Sequence, residues 1–208
     1  MMPISLFTEE QVYGEVRKAI AETLRVSEAS IQPDHSLIGD LGAESLDFID
    51  MNYRLEQRFH LGMPRRYLVE HMEEFFGEGT AIDNEGRITE TAVSILKARL
   101  GPVGQNLRAG MAVEEIPILV TPQTLVEIVR EILASCPETC PSCGSEEWTV
   151  ADGAVITCGG CRKAAALPTG DDLVKKWLAE FKAKGLQTEG RVAGDPRAGE
   201  AGGDRGAL

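Results

Sequence analysis

The sequence predicts a mainly α-helical protein, in which a helical bundle with inserted helices is followed by a small β-hairpin unit and a last helix. Three observations lead to this prediction. Apolar residues recur at helical spacing up to about residue 134. Two closely spaced cysteine pairs then flank a short stretch of alternating polar and apolar residues. An amphipathic segment follows the second pair.

The first helix is marked by Thr8 and Gln11, which have the spacing of a capping box. An apolar stripe at helical spacing follows them, made by Val12, Val16, Ala19, Ile20 and Leu24. A long connection then runs from about Ser27 to Glu44. It contains apolar residues that we expect to anchor it on the bundle: Ile31, Leu37 and Leu41.

A second helix opens at the end of this connection, in the stretch Asp40-Leu41-Gly42-Ala43-Glu44-Ser45-Leu46. Ser45 stands where its side-chain oxygen could cap the helix, so a plain N-cap is the alternative to a functional role for this serine. Apolar residues recur along the helix from Leu46 to Phe59. Carboxylates are predicted on its exposed side and near its positive end, at Glu44, Asp47, Asp50 and Glu56.

This loop and helix closely resemble those of the acyl carrier proteins, whose pattern is D-L-G-A-D-S-L followed by an acidic recognition helix. Glu44 is the one departure, and it keeps the negative charge. The resemblance implies an acyl-carrier-like four-helix bundle, 4′-phosphopantetheine attached to Ser45, and no catalytic residues of the chain's own. It also implies that the four carboxylates meet basic patches on a phosphopantetheinyl transferase and on acyl-processing enzymes.

The region between the second helix and the last bundle helix forms an insertion at about 62–119. A helix is predicted from Pro64 to Gly77, and another from Thr89 to Gly101. The inserted helices could widen the apolar interior for an unusual acyl chain, restrict which enzymes dock, or simply add core. Thr121 and Pro122 then begin a helix that resembles the last helix of the family.

All five cysteines lie between residues 136 and 161. Cys140 and Cys143 form one pair and Cys158 and Cys161 the other, which is the spacing of two zinc knuckles in a zinc ribbon. Four thiolates leave no open coordination position, so the zinc is predicted to be structural. Cys136 is expected to be a packed thiol, with substitution for a knuckle cysteine as the alternative. The turn between the two strands is predicted at Asp152-Gly153.

A final helix is predicted to begin at Asp171-Asp172, with an apolar face that must cover the ribbon, the bundle or a partner. The predicted domains are therefore a carrier domain over 1–135, a zinc ribbon over 136–166, a C-terminal helix over 170–185 and a disordered tail over 187–208. The tail is rich in glycine and alanine and has almost no large apolar residues.

The formal net charge is −12, and residues 1–80, with seven basic and fifteen acidic side chains, carry −8 of it. This field disfavours nucleic acid and membrane surfaces and attracts basic protein patches, although it could also serve solubility alone. We expect a cytoplasmic protein without membrane insertion, because the N-terminus lacks signal-peptide features and no apolar stretch reaches transmembrane length.

The favoured function is an acyl carrier for fatty-acid or specialised lipid biosynthesis. The alternative is a zinc-ribbon module for protein interaction or nucleic-acid association whose bundle is not modified. A hydrolase that uses Ser45 has little support, because His35, His60 and His71 fit no catalytic motif and are expected to be solvated or packed.

Overall fold

The computed structural model describes residues 6–151 and 154–184. The predicted Asp152-Gly153 turn and the predicted disordered tail at 187–208 lie outside these residues. The elements are α1 (Glu9–Leu24), α2 (Ser45–Phe59), α3 (Leu68–Phe76), α4 (Glu90–Leu100), α5 (Pro122–Ala134), β1 (Trp148–Ala151), β2 (Val155–Cys158) and α6 (Gly170–Ala183). Short 3₁₀ segments cover Glu28–Ser30, Gly101–Asn106 and Val113–Leu119. The predicted fold class, mainly α-helical with a small antiparallel hairpin, is confirmed.

A first hydrophobic core lies between α1, α2 and α5, which are the predicted bundle helices. The capping box of α1 is present, with the Gln11 amide donating to Thr8 Oγ1 at 3.2 Å. Thr121 caps α5 in the same way, and Pro122 occupies its first turn. The largest side chains that these helices bury completely are Ile20, Met51, Leu55, Phe59 and Ile132.

The connection between α1 and α2 is held on this core, as predicted. Ile31 and Leu37 are buried, and the Leu37 amide donates to the Val120 carbonyl at 3.0 Å. The Ala43 amide in turn donates to the Leu37 carbonyl at 2.8 Å. The loop that leads into α2 is therefore fixed by backbone hydrogen bonds to the segment before α5.

A second hydrophobic core is formed by the insertion together with α6. It contains buried residues from α3, α4, the loops around them and the last helix: Val69, Met72, Ala81, Ile88, Ala92, Val93, Ile95, Leu96, Leu107 and Leu178. Trp177 and Phe181 pack on its edge. The inserted helices thus provide additional core, one of the three roles considered for them, and α6 covers them.

The predicted helix start at Pro64 is wrong, because α3 begins at Leu68. Residues 62–66 instead run along the beginning of α6, where the Gly170 amide donates to the Gly62 carbonyl at 2.8 Å. A Cβ on Gly170 would lie 2.5 Å from Pro64 Cδ, so the two segments are in direct contact. This tertiary contact holds the segment out of helical conformation.

The β-hairpin packs on the first core. β1 pairs with β2 in antiparallel register, with Trp148 opposite Cys158 and Ala151 opposite Val155. Ala154 and Ile156 are buried among the residues of the bundle core, and Trp148 packs against the same cluster. The inner face of the hairpin is therefore part of the bundle's interior.

Candidate functional site

Ser45 is the first residue of α2, and its side chain is exposed. Ser45 does not take the alternative role of a plain N-cap, because Glu44 is the N-cap residue. The Glu44 amide donates to Asp47 Oδ2 at 2.7 Å, so the Asp47 side chain satisfies the backbone amide of the N-cap residue. In the described part of the chain, the Ser45 hydroxyl has no hydrogen-bond partner. The Ser45 hydroxyl therefore faces solvent at the positive end of the helix dipole and does not cap the helix.

The approach to Ser45 depends on two small residues. Gly42 adopts a left-handed conformation with φ +72°, which a side chain would strain. Ala43 is 4% exposed and sits under the loop, so a larger side chain has no room there. The Gly-Ala pair thus lets the chain turn tightly into α2 and leave Ser45 on the outside.

The four predicted docking carboxylates differ in their exposure and in the hydrogen bonds that they accept from this chain. Glu44 is exposed, and Asp47 is engaged at the helix start. Asp50 accepts hydrogen bonds from Arg54 and Thr23, both at 2.8 Å, and these bonds lower the pKa of its carboxyl group. Glu56 is the most enclosed, because it accepts the Met63 amide at 2.9 Å and the Arg65 guanidinium at 2.8 Å.

The exposed face of α2 also carries large apolar side chains. Leu46, Ile49 and Tyr53 are 76%, 59% and 57% exposed. The helical spacing grouped these residues with Leu55 and Phe59 in one apolar stripe, which is wrong for Leu46, Ile49 and Tyr53. The residues of α2 that face the core are Met51, Leu55 and Phe59. The surface around Ser45 is therefore a row of apolar side chains flanked by carboxylates.

A cavity of about 500 Å³ opens beside Ser45 and extends between the two hydrophobic cores. Its walls come from three parts of the chain. The bundle contributes Phe48 and Ile128, the insertion contributes Leu96 and Ile116, and α6 contributes Leu173 and Val174. No sequence signal marked this cavity, because its walls are far apart along the chain and become neighbours through the packing of α6.

Asp171, at the start of α6, holds the cavity walls together. Its carboxylate accepts hydrogen bonds from the Arg65 amide at 3.0 Å and from His71 Nε2 at 2.8 Å, and a longer one from the Arg66 amide. The proton is assigned to Nε2, because an ionised carboxylate can only accept. Burial raises the pKa of Asp171, but the bonds from His71 and the two amides outweigh it and lower the pKa. His71 is 2% exposed, which confirms it as a packed residue.

The cysteine pairs converge on one point. The Sγ atoms of Cys140, Cys143, Cys158 and Cys161 all lie within 4.8 Å of one another. Two of the separations, Cys140–Cys161 at 3.7 Å and Cys143–Cys158 at 3.5 Å, match the ~3.8 Å edge of a tetrahedron with Zn–S bonds of ~2.3 Å. The four thiols therefore fit a structural zinc ion.

The backbone of each knuckle turns in the same way. In the first, the Gly144 amide donates to the Cys140 carbonyl at 2.8 Å, and in the second the Arg162 amide donates to the Cys158 carbonyl at 2.8 Å. Gly144 and Arg162 both follow the second cysteine of their pair, and both have positive φ, +75° and +61°. This repeated turn directs the two cysteine side chains of each pair towards the four-cysteine cluster.

Without metal, Cys143 and Cys158 hold their protons very differently. Hydrogen bonds led by the Cys161 amide lower the pKa of Cys158 to about 6. The Ser145 amide lowers the pKa of Cys143, but the bond to Cys158 and desolvation outweigh it and raise the pKa to about 12. A bound zinc ion would hold these sulfurs as thiolates, so metal binding would release thiol protons.

The remaining candidate residues lie outside both sites. Cys136 is half-buried against the bundle core, and burial raises the pKa of its thiol. The metal-type cluster found among the described residues does not include it. His60 is exposed and ends α2 in a left-handed conformation. His35 is half-buried, and no histidine lies among the residues that line the cavity beside Ser45.

Comparison with known proteins covers the first part of the chain. A family model described as "Phosphopantetheine attachment site" matches residues 14–72, which include Ser45. The acyl carrier protein of Cyanidioschyzon merolae is 37% identical over 57 residues, or 27% of this chain and 63% of the relative. That of Treponema pallidum is 40% identical over 55 residues, or 26% of this chain and 70% of the relative.

The matched region contains α2 and its loop, whereas the cysteine cluster, α5 and α6 lie beyond it. The chain spans just under two thirds of the first of these relatives and somewhat more of the second. No solved structure matches the chain. Among the described residues, no helix combines the length and the apolar character needed to cross a bilayer.

Proposed function

Because this chain belongs to the acyl carrier protein family, we propose that it carries acyl groups as thioesters on 4′-phosphopantetheine attached to Ser45. The family model implies the phosphopantetheine group, and Ser45 is the proposed attachment residue. The observation that supports this residue most strongly is its exposed hydroxyl, which has no partner among the described residues and stands at the start of α2.

The proposed attachment requires little of the carrier. The Ser45 oxygen forms a bond to the phosphorus nearest the pantetheine in coenzyme A, the bond to the adenosine-bearing phosphate breaks, and the serine proton passes to the transferase or to water. The transferase and its metal ion supply the charge stabilisation for this displacement. This chain's own residues fix the loop and hold the hydroxyl in solvent, a role without catalysis.

The proposed partners are a phosphopantetheinyl transferase and acyl-processing enzymes with basic docking patches. The negative charge of residues 1–80 supports long-range attraction to such patches. Among the predicted docking residues, Glu44 is the freest, and Glu56 would have to leave Arg65 and the Met63 amide to bind a partner. Fatty-acid or specialised lipid biosynthesis in the cytoplasm is the proposed setting.

The proposed domain organisation keeps the bounds predicted from the sequence, a carrier domain over 1–135, a ribbon over 136–166 and a helix over 170–185. The four-cysteine cluster fits a structural zinc ion, which would stabilise the ribbon against the bundle. The packed hairpin supports a stabilising role for the ribbon over a nucleic-acid-binding one.

Intact-mass measurement tests the proposal. The chain is co-expressed with a broad-specificity phosphopantetheinyl transferase, and we expect a mass gain of one phosphopantetheine group. Ser45→Ala should abolish the gain, while Ser94→Ala, at an exposed serine on α4, should retain it. A wild-type chain that stays unmodified under these conditions would favour the unmodified interaction module.

A further inference from the structure

We propose that Arg65, Arg66 and Tyr67 form a second docking patch beside Ser45, which binds an acidic surface of an acyl-processing enzyme. This assignment of the partner rests on the proposed function, because the enzyme would act on the group carried at Ser45. The three residues belong to the insertion, and they line the same cavity as Ser45. They are called the arginine patch below.

The formal charge of the docking region changes sign along the chain. Residues 44–50 contain three carboxylates and no basic side chain, which gives −3. Residues 51–66 contain four arginines and one glutamate, which gives +3 with His60 neutral. The acidic field that attracts basic enzyme surfaces is therefore centred on the first two turns of α2 and weakens towards the insertion.

Two of the four arginines are used within the bundle, and two face outwards. Arg54 and Arg58 pair with carboxylates of α1 and so join α1 to α2. Arg65 and Arg66 lie beyond the end of α2, and 60% and 55% of their side chains are exposed. Only this second pair is therefore presented to a partner as an exposed group of guanidiniums.

Arg65 also removes a carboxylate from the docking surface. Its Nη2 atom donates to Glu56 Oε2 at 2.8 Å, and the Glu56 side chain is only 12% exposed. Arg66 pairs with Glu74 through Nη1, also at 2.8 Å. A guanidinium has further N–H donors in a planar fork, and exposed ion pairs contribute little to stability. Both arginines can therefore accept a carboxylate from a partner.

The backbone of the arginine patch is fixed before a partner arrives. The Arg65 amide donates to Asp171 Oδ2 at 3.0 Å, and the Tyr67 amide donates to Glu70 Oε2 at 3.2 Å. Tyr67 is 48% exposed although it is a large aromatic residue. Arginine and tyrosine are enriched among the residues that dominate binding at interfaces, and a fixed backbone reduces the entropy lost on association.

The partner that fits this surface carries two neighbouring patches of opposite charge. Its basic patch would face residues 44–50, and its carboxylates would face the arginine patch. An enzyme whose docking surface is basic throughout would meet Arg65 and Arg66 as like charges, which lowers its affinity. The insertion thus selects among acyl-processing enzymes by charge.

A phosphopantetheinyl transferase with a basic docking surface is the first probe. Its kcat and KM for the zinc-loaded full chain are measured with the wild type and with Arg65→Gln/Arg66→Gln. The double variant removes two like charges and frees Glu56, so KM should fall by about threefold at low salt while kcat stays unchanged. Arg108→Gln, at an exposed arginine elsewhere in the insertion, should keep the wild-type KM. An unchanged or higher KM in the double variant would overturn the proposal.

An acidic peptide, N-acetylated hexaglutamate, is the second probe. The net charge of −12 repels this peptide from the chain as a whole, so its binding requires a local group of cations. In NMR titrations, the backbone amide signals of the arginine patch and the Nε–H signals of its two arginines should shift. These shifts should disappear in Arg65→Gln/Arg66→Gln and persist in Arg108→Gln.

The two failures can be told apart. Titration shifts that are absent, or confined to exposed lysines of α6 such as Lys176, would overturn the arginine patch while the carrier function stands. A chain that gains no arm in the intact-mass measurement would refute the proposed function, and the assignment of an acyl-processing partner with it.

Discussion

Asp171→Ala offers a quantitative test of how the insertion is joined to α6. The substitution removes the acceptor for His71 Nε2 and for the amides of Arg65 and Arg66. The largest loss concerns His71, which is 2% exposed and would keep a buried donor without a partner.

The expected magnitude follows from these contacts. An orphaned buried donor costs about 1–3 kcal/mol, and hydrogen bonds to charged groups contribute about 1.5–3 kcal/mol each without being additive. Since the two amides lie close to solvent, we expect a total loss near 3 kcal/mol. For a chain of this size, that loss lowers Tm by about 6–12 °C.

Urea unfolding of the zinc-loaded chain, monitored by circular dichroism, measures this loss of stability. We expect a lower urea midpoint with a similar m-value. Asp34→Ala is the matched control, because Asp34 is exposed in the loop between α1 and α2 and should change stability by less than about 0.5 kcal/mol. If Asp171→Ala behaves like this control, the carboxylate does not join α6 to the insertion and the reasoning fails.

The contribution of Asp171 to stability depends on pH. Because the pKa of Asp171 is lowered in the folded chain, its contribution is present above the ordinary carboxyl pKa, about 4, and is lost as the pH falls through the folded value. The stability difference between wild type and Asp171→Asn should therefore be full at pH 6 and shrink below pH 4. A difference that grows on acidification would contradict this assignment.

Three further predictions concern the metal, the α6 contact and the docking face. One zinc ion should bind per chain, and either Cys158→Ser or a chelator should release it and lower Tm. Metal analysis and thermal unfolding measure these changes, and an unchanged metal content would contradict zinc binding by the four cysteines. Gly170→Ala should destabilise the chain by about 1–3 kcal/mol through a clash with Pro64, measured by urea unfolding; an unaltered midpoint would disprove the contact. Leu46→Ala and Ile49→Ala should change the free energy of unfolding by less than about 0.5 kcal/mol but slow the modification of Ser45 by the transferase. Mass spectrometry over time measures the modification rate, and unchanged rates would exclude these residues from the docking surface.

Local signals predicted much of the fold. The capping residues Thr8, Thr89 and Thr121 each begin a helix as expected, because a side-chain cap satisfies a nearby amide whatever the tertiary context. The cysteine spacing also predicted a four-thiol cluster, which the structure brings together. These features depend on residues close together in sequence or on a strict ligand geometry.

The errors have a common physical cause, which is contact between distant parts of the chain. Pro64 favours a first helical turn by its own conformation, but it packs against Gly170 and the helix begins only at Leu68. Likewise, Leu46 and Ile49 are apolar but exposed, and periodicity alone cannot distinguish an exposed apolar face from a core face. The residues that line the cavity could not be predicted for the same reason.

The shared interior of hairpin and bundle limits how this protein can be divided. Because Ile156 is buried in the same cluster as Leu55 and Val129, cutting the polypeptide after α5 would expose apolar surface on the carrier half. A shortened version ending there should be prone to aggregate, even though it would retain Ser45 and every residue matched by the family model. Loss of zinc or oxidation of the ribbon thiols should loosen the hairpin and expose the same apolar surface of the bundle.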